Sequence, residues 1–209
     1  MIRPLQLLLI LTPLLLVASC SNPASDKPRA VTSDAAPAAA PDVPGEKYLI
    51  TPENSDIEFI GAKVTGKHNG SFEKFSGEIN YAGQPEKSRV RITIDIDSIT
   101  TDEAKLTAHL KTPDFFDVAK FPQSTFESTE ITPGGEGGAT HTIKGNLTMH
   151  GVTKSITFPA KIAAAPDAIT VDATFAINRK DFGINYAGAS DNLIRDDVVL
   201  TLRVRATKG

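Results

Sequence analysis

Apolar and polar residues alternate along six separate stretches of this 209-residue chain, and that period of two limits what the chain can become. "RVRITIDID" sets Val90, Ile92, Ile94 and Ile96 on one face, with Arg89, Arg91, Thr93, Asp95 and Asp97 on the other. "AITVDATFAIN" repeats the pattern through Ile169, Val171, Ala173, Phe175 and Ile177. "DVVLTLRVRA" does so through Val198, Leu200, Leu202 and Val204. "HTIKGNLTMH", "SITFPAKI" and "FSGEINY" read the same way, the last through Phe75, Gly77, Ile79 and Tyr81. Each is a strand dry on one face and wet on the other. Weaker strands are expected at about 56–64 and 125–131.

Between these runs, "TGKHNG", "AGQPEK", "PGGEGG", "HGVTK" and "AAPDA" supply the Gly, Pro and Asn of hairpin turns. No βαβ spacing occurs, so the expected fold is all-β, an antiparallel meander of about eight strands. Closing it into a barrel removes its edges, and a sandwich is the competing arrangement. Gly77 and Gly145, inward in this register, suit strongly bent strands or a bulge.

One short helical insertion interrupts the meander. Thr100-x-x-Glu103 fits a capping box, followed by Leu106 and Leu110 on one side of a turn or two. Pro113 ends this helix. Thr112-Pro113 is then expected to start a second short helical turn carrying Phe115, Phe116 and Ala119. Phe121-Pro122 leads into the strand that holds Phe126. "DFFDVAKFPQSTF" thus concentrates four of the ten phenylalanines of a chain without tryptophan.

The first residues read as an export signal. Arg3 precedes "LQLLLILTPLLLV", an uncharged run too short to span a bilayer comfortably. Val17-Ala18-Ser19-Cys20 resembles a bacterial lipobox, which implies a signal peptide over 1–19 and lipid attachment at Cys20. Ser21 in the following position implies, by the same resemblance, the outer membrane facing the periplasm. Cys20 is the only cysteine, so the domain forms no internal disulfide. Residues 20–46 are rich in Ala, Pro, Ser and charge, and are expected to be a flexible linker. The barrel domain is expected over 47–207.

A net charge of −3 without a basic cluster argues against nucleic acid as a partner. The four histidines, His68, His109, His141 and His150, show no metal-ligand spacing. The hydrolase nucleophile elbow, the phosphate loop and the dinucleotide fingerprint are all missing. Neither a metal, a cofactor nor an enzyme is expected.

"LTAHLKTPDFFDVAKFPQSTFES", then "LTMHGVTKSITFPA", then "RKDFGINY", in this order, resemble the YceI-like family of polyisoprenoid-binding proteins over about 47–206. The resemblance implies an eight-stranded, extended lipocalin-like barrel with an apolar tunnel for an isoprenoid chain, such as a quinone tail or a prenyl lipid. A barrel of this strand number is near the width that holds one small ligand. The candidate lining is Phe59, Phe75, Ile79, Ile92, Ile94, Leu106, Leu110, Phe115, Phe116, Phe126, Leu147, Phe158, Val171, Phe175, Leu200 and Leu202. Phe115 or Phe116 is expected to close one end. His150, Arg179 and Asp181 are candidate head-group contacts, against local readings in which His150 bonds its own turn and Arg179 pairs with Asp181 or caps the loop that runs to Asp197.

Alternation alone fits a filled core as well as a tunnel. A structural or protein-interaction lipoprotein, and an enzyme acting on a prenyl lipid, therefore stay open as alternatives. The oligomeric state is open too, a homodimer included.

Overall fold

The computed structural model describes residues 22–37, 44–190 and 192–209; the leader and Cys20 lie outside them. Eight staves, three of them broken midway, close the barrel. β2 (Glu46–Ile50) and β3 (Asp56–Lys63) make the first stave. Both run antiparallel to β14 (Asp197–Lys208), with Leu49 opposite Thr207 and Ile57 opposite Leu202. β4 (Gly66–Phe72) and β5 (Phe75–Tyr81) form the next, paired with β3 and β2 respectively. β6 (Arg89–Asp95) and β7 (Ile99–Thr101) form the third, against β5 and β4.

β8 (Gln123–Pro133), β9 (His141–Met149), β10 (Val152–Ala164) and β11 (Ala168–Asn178) continue as a meander, and β14 completes the circuit beside β11. The expected all-β, eight-stranded antiparallel barrel with a helical insertion is what the chain forms. Closure pairs the long strands on both sides, although β7 pairs only with β4 and β10 meets β11 only over residues 161–164.

The alternating faces decide which residues point in. Ile143, Leu147, Ile156, Phe158, Val171, Phe175 and Val204 are buried in one continuous core. At the opposite end from the β10–β11 turn, a second cluster joins Phe59, Ile99, Leu110, Phe115 and Ile184. It is topped by α1 (Ala104–Leu110) and by the 179–196 loop, which carries the small hairpin β12 (Gly188–Ala189) and β13 (Asn192–Leu193). The hairpin between β9 and β10 turns on His150 and Gly151, with φ of 51° and 75°. That pair of positive φ values matches the right-handed strand twist of a two-residue turn.

Four expectations are corrected. "TGKHNG" is not all turn: the chain reverses at Val64-Thr65, and residues 67–69 belong to β4. The capping box of Thr100 and Glu103 does not form, because Thr100 is committed to β7 opposite Ser71. Thr101 holds the helix start instead: its N–H donates to Thr107 Oγ1 at 2.9 Å, and its hydroxyl donates to the Glu103 carbonyl at 2.8 Å. No second helix carries Phe115 and Phe116. They sit in consecutive turns, with Phe115 N–H donating to Thr112 O and Phe116 N–H to Leu110 O, and Asp117 at φ 46°.

The fourth concerns the linker. Residues 22–37 lie on the barrel, and β1 (Val31–Asp34) pairs antiparallel with β10, from Val31 opposite Thr157 to Asp34 opposite Lys154. Composition misled here because backbone hydrogen bonds and ion pairs, rather than bulky apolar side chains, hold the segment down. No strand is expected just after the linker, yet β2 opens the barrel at Glu46, one residue before the expected domain start.

Candidate functional site

A cavity of about 210 Å³ lies inside the barrel. Its wall is built by the inward positions of every stave. Ile143, Ile156 and Val204 border it in the main core, and Leu106, Leu110, Phe115 and Phe116 border it under the helical insertion. All the apolar lining candidates except Phe75 border this cavity. Phe75 is buried in the main core, but it faces a small polar cleft with Asp56, Glu58 and Glu73, next to the break between β4 and β5. Reading the sequence missed Ile50, Phe72, Ile184 and Ile194 on the wall. The first two sit on strands whose alternation is too short or too polar to detect, and the other two on a loop without periodicity.

Rings close the end under the insertion. Phe115 lies 5.0 Å from His109 and 5.2 Å from Tyr186, centroid to centroid, and His109 lies 5.1 Å from Tyr186. This triad ties the insertion to the 179–196 loop. Phe116, half-buried, meets the edge of Phe72 at 6.3 Å, and Phe72 in turn packs on Phe59 at 5.7 Å. His109 is also fixed from outside, with Nε2 2.7 Å from Asp114 Oδ2.

Few polar groups reach the wall. Ser124 is buried and its hydroxyl donates to Thr148 O at 2.7 Å, so it is occupied. His68, bordering the cavity from β4, places Nδ1 2.8 Å from Asp102 Oδ1. The Asn69 N–H, first, and His68, second, hold the Asp102 carboxyl below its ordinary value.

Arg179 borders the cavity with a side chain only 5% exposed. Its Nη1 donates to Ile184 O at 2.6 Å, its Nε to Arg195 O at 3.2 Å, and Nη2 lies 3.4 Å from Asp196 Oδ1. Burial pulls its pKa down from the usual guanidinium value, and the charge of Asp196 opposes that shift. Of the two local readings, the Arg179–Asp181 pair does not form and the cap on the loop backbone does, so Arg179 is the clamp of the long loop. Asp181, in the 3-10 turn Arg179–Phe182, does not border the cavity. Neither does His150, whose Nδ1 is 3.3 Å from Phe182 O and whose ring meets Phe121 at 4.8 Å. Cys20 lies outside the described residues.

Such a site offers a mainly apolar space and little chemistry. The model of the YceI-like domain matches residues 48–206. A UPF0312 protein of Pseudomonas putida (strain GB-1) is 33% identical over 137 residues, covering 62% of this chain and 70% of that one. A UPF0312 protein of Yersinia pestis (strain Pestoides F) is 40% identical over 94 residues, covering 44% of this chain and 47% of its own length. Among solved structures, Burkholderia cenocepacia BcnA superposes with a TM-score of 0.67 at 24% identity, over 76% of this chain and 99% of that one. A polyisoprenoid binding domain from Saccharophagus degradans gives 0.62 at 16% identity, over 78% and 99%. At these identities the two structures speak for the fold. With the domain matched across the whole barrel and a curated relative aligned over most of its length, this chain belongs to the YceI-like domain family.

Proposed function

We propose that this chain binds one long isoprenoid chain, of quinone or prenyl type, inside the barrel, and carries or stores it at the cell envelope without transforming it. The observation that carries the reading is the cavity itself, walled by apolar side chains of all eight staves. The polyisoprenoid-binding domain of Saccharophagus degradans, which shares the fold, supports the choice of ligand. Binding without turnover is favoured because Ser124, His68 and Arg179 are already engaged, with Thr148, Asp102 and the loop respectively, which leaves Lys63 and Arg195 as the other polar side chains at an otherwise apolar wall.

The energetics favour exchange over tight capture. Each five-carbon unit gains roughly 4 kcal/mol on leaving water, at about 0.8 kcal/mol per buried carbon. A prenyl lipid starts in a bilayer, however, where its tail is already dry, so the net transfer free energy is near zero. A carrier that trades lipid with a membrane fits this balance. Lipid attachment at Cys20, in the outer membrane facing the periplasm, would hold the barrel beside its source.

Mass spectrometry of organic extracts from the purified chain tests the reading. A prenyl lipid in stoichiometric amount is expected. Its absence, together with failure to take up added prenyl lipid, would overturn the proposal. A product with an altered head group would favour the enzyme alternative.

A further inference from the structure

β10 and β11 pair with each other only from Lys161 opposite Asp172 to Ala164 opposite Ile169. Toward the helical insertion the two strands part, and the N-terminal segment stands between them. β1 pairs with residues 154–157 of β10 on one side. On the other, Ala30 N–H donates to Ala176 O and Ala176 N–H donates to Pro28 O, both at 2.8 Å. The segment is therefore an inserted stave, antiparallel to β10 and parallel to β11. Ile156 and Phe158 on one flank, and Phe175 and Ile177 on the other, border the cavity. Neighbouring strands lie about 4.8 Å apart, so removing a strand from between two others leaves a slit about 10 Å wide.

The stave is lightly held. Val31 is 68% exposed, and Asp34, which pairs with Lys154, has a side chain 98% exposed. The apolar contact is small: Ala24 against Ala176 and Val199, with Ile60 beside them, and Ala30 partly buried against the main core. Arg29 pairs with Asp197, and Ala36 exchanges two hydrogen bonds of 2.9 Å with the Asn146 side chain. Segments with few buried apolar contacts and exposed backbone bonds open at low free energy. Ser155, opposite Ser33, is fully covered and its hydroxyl has no partner among the described residues. Undocking would return that hydroxyl to water, which favours the open form.

The capped end is harder to open. Phe115 and Ile184 are both buried there, and Arg179 fastens the loop by three contacts.

We propose that residues 22–37 are a removable stave, and that its undocking opens a lateral slit between β10 and β11 through which a flexible apolar chain enters and leaves the cavity. The slit is lined inside by Phe158 and Phe175, which would turn aside as the chain passes. The proposal rests on the cavity being the lipid site.

The test uses the chain from residue 20 onward, carrying Cys20→Ser with Ser33→Cys and Ser155→Cys, so that oxidation staples β1 to β10. Geranylgeraniol is loaded, and its release to phosphatidylcholine vesicles is timed in the oxidised and reduced forms. Oxidation is expected to slow release about tenfold, and Arg29→Ala, in an otherwise unstapled chain, to speed it several-fold. Amide hydrogen exchange without ligand supplies a second readout: residues 30–34 should exchange faster than the amides of β9 and β11. Equal release rates in all forms, or stave amides as slow as those strands, would overturn the proposal. If no form takes up geranylgeraniol, the lipid-binding reading fails instead, and the amide exchange still decides whether the stave opens.

Discussion

Phe158 and Phe175 stack with centroids 4.1 Å apart and planes inclined by 14°, one from β10 and one from β11, where those strands begin to separate. Each is almost fully buried and borders the cavity. Phe175→Ala removes a ring from a close-packed wall and should destabilise the fold by about 3–5 kcal/mol. Denaturant unfolding measures this, and a change below about 1 kcal/mol would mean that the wall collapses to refill the space.

Gly145 is the reverse case. A Cβ there would meet Phe126 Cζ at 2.4 Å and Glu127 O at 2.5 Å, beside the register shift of β8 between Ser128 and Glu130. Gly145→Ala should cost about 1–3 kcal/mol through overpacking. Adding Phe126→Leu should recover part of that loss, because the ring is one of the two obstacles. A second substitution that recovers nothing would place the strain on the Glu127 carbonyl.

Arg179→Lys should not preserve the loop. A lysine offers one ammonium where the guanidinium fork spans Ile184 O, Arg195 O and Asp196. Leaving those carbonyls unpaired should cost about 2–4 kcal/mol, and Arg179→Ala at least as much. Limited proteolysis in 183–196 reports it: cleavage should appear in both variants and not in the native chain.

Phe115→Ala and Phe116→Ala should separate fold from retention. Phe115 is 6% exposed inside the second core cluster, and its loss should cost about 3–5 kcal/mol. Phe116 is half-buried and should cost less, about 1–2 kcal/mol, while releasing bound prenyl lipid faster. Equal stability losses with unchanged release would remove Phe116 from the closure.

Asp102 predicts an acid-sensitive corner. Its carboxyl is held low in the fold, so its stabilisation is complete above the unfolded carboxylate pKa of about 3.9 and is lost as pH falls through the lowered value. Asp102→Asn should lower stability at neutral pH and reduce the difference between neutral and strongly acidic pH. A variant with the native acid limb would show that Asp102 contributes nothing to it.

β6, β9, β10, β11 and β14 were legible because each keeps one apolar and one polar face over seven residues or more. The same alternation set the inward positions, since those of a closed barrel face its axis; that they line a cavity and do not fill a core was implied only by the family resemblance. β4 was not legible: in "GKHNGSF" only Phe72 is bulky and apolar, because Gly70 makes room for the Phe59 ring on that face. Arg179 was legible only in part: capping the loop was one of several readings, but its partners on Ile184 and Arg195 were not legible, since they are backbone carbonyls that any residue would offer. β1 escaped because its hold is a ladder of main-chain bonds beside an exposed valine.

The docked N-terminal stave also sets a length. For a chain fixed to a membrane at Cys20, only Ser21 separates the anchor from Asn22, a leash of about 7 Å. With the stave undocked, the leash runs to Glu46 and extends to roughly 90 Å. The same movement that parts the wall would thus free the barrel to travel, so that opening and reach are one event.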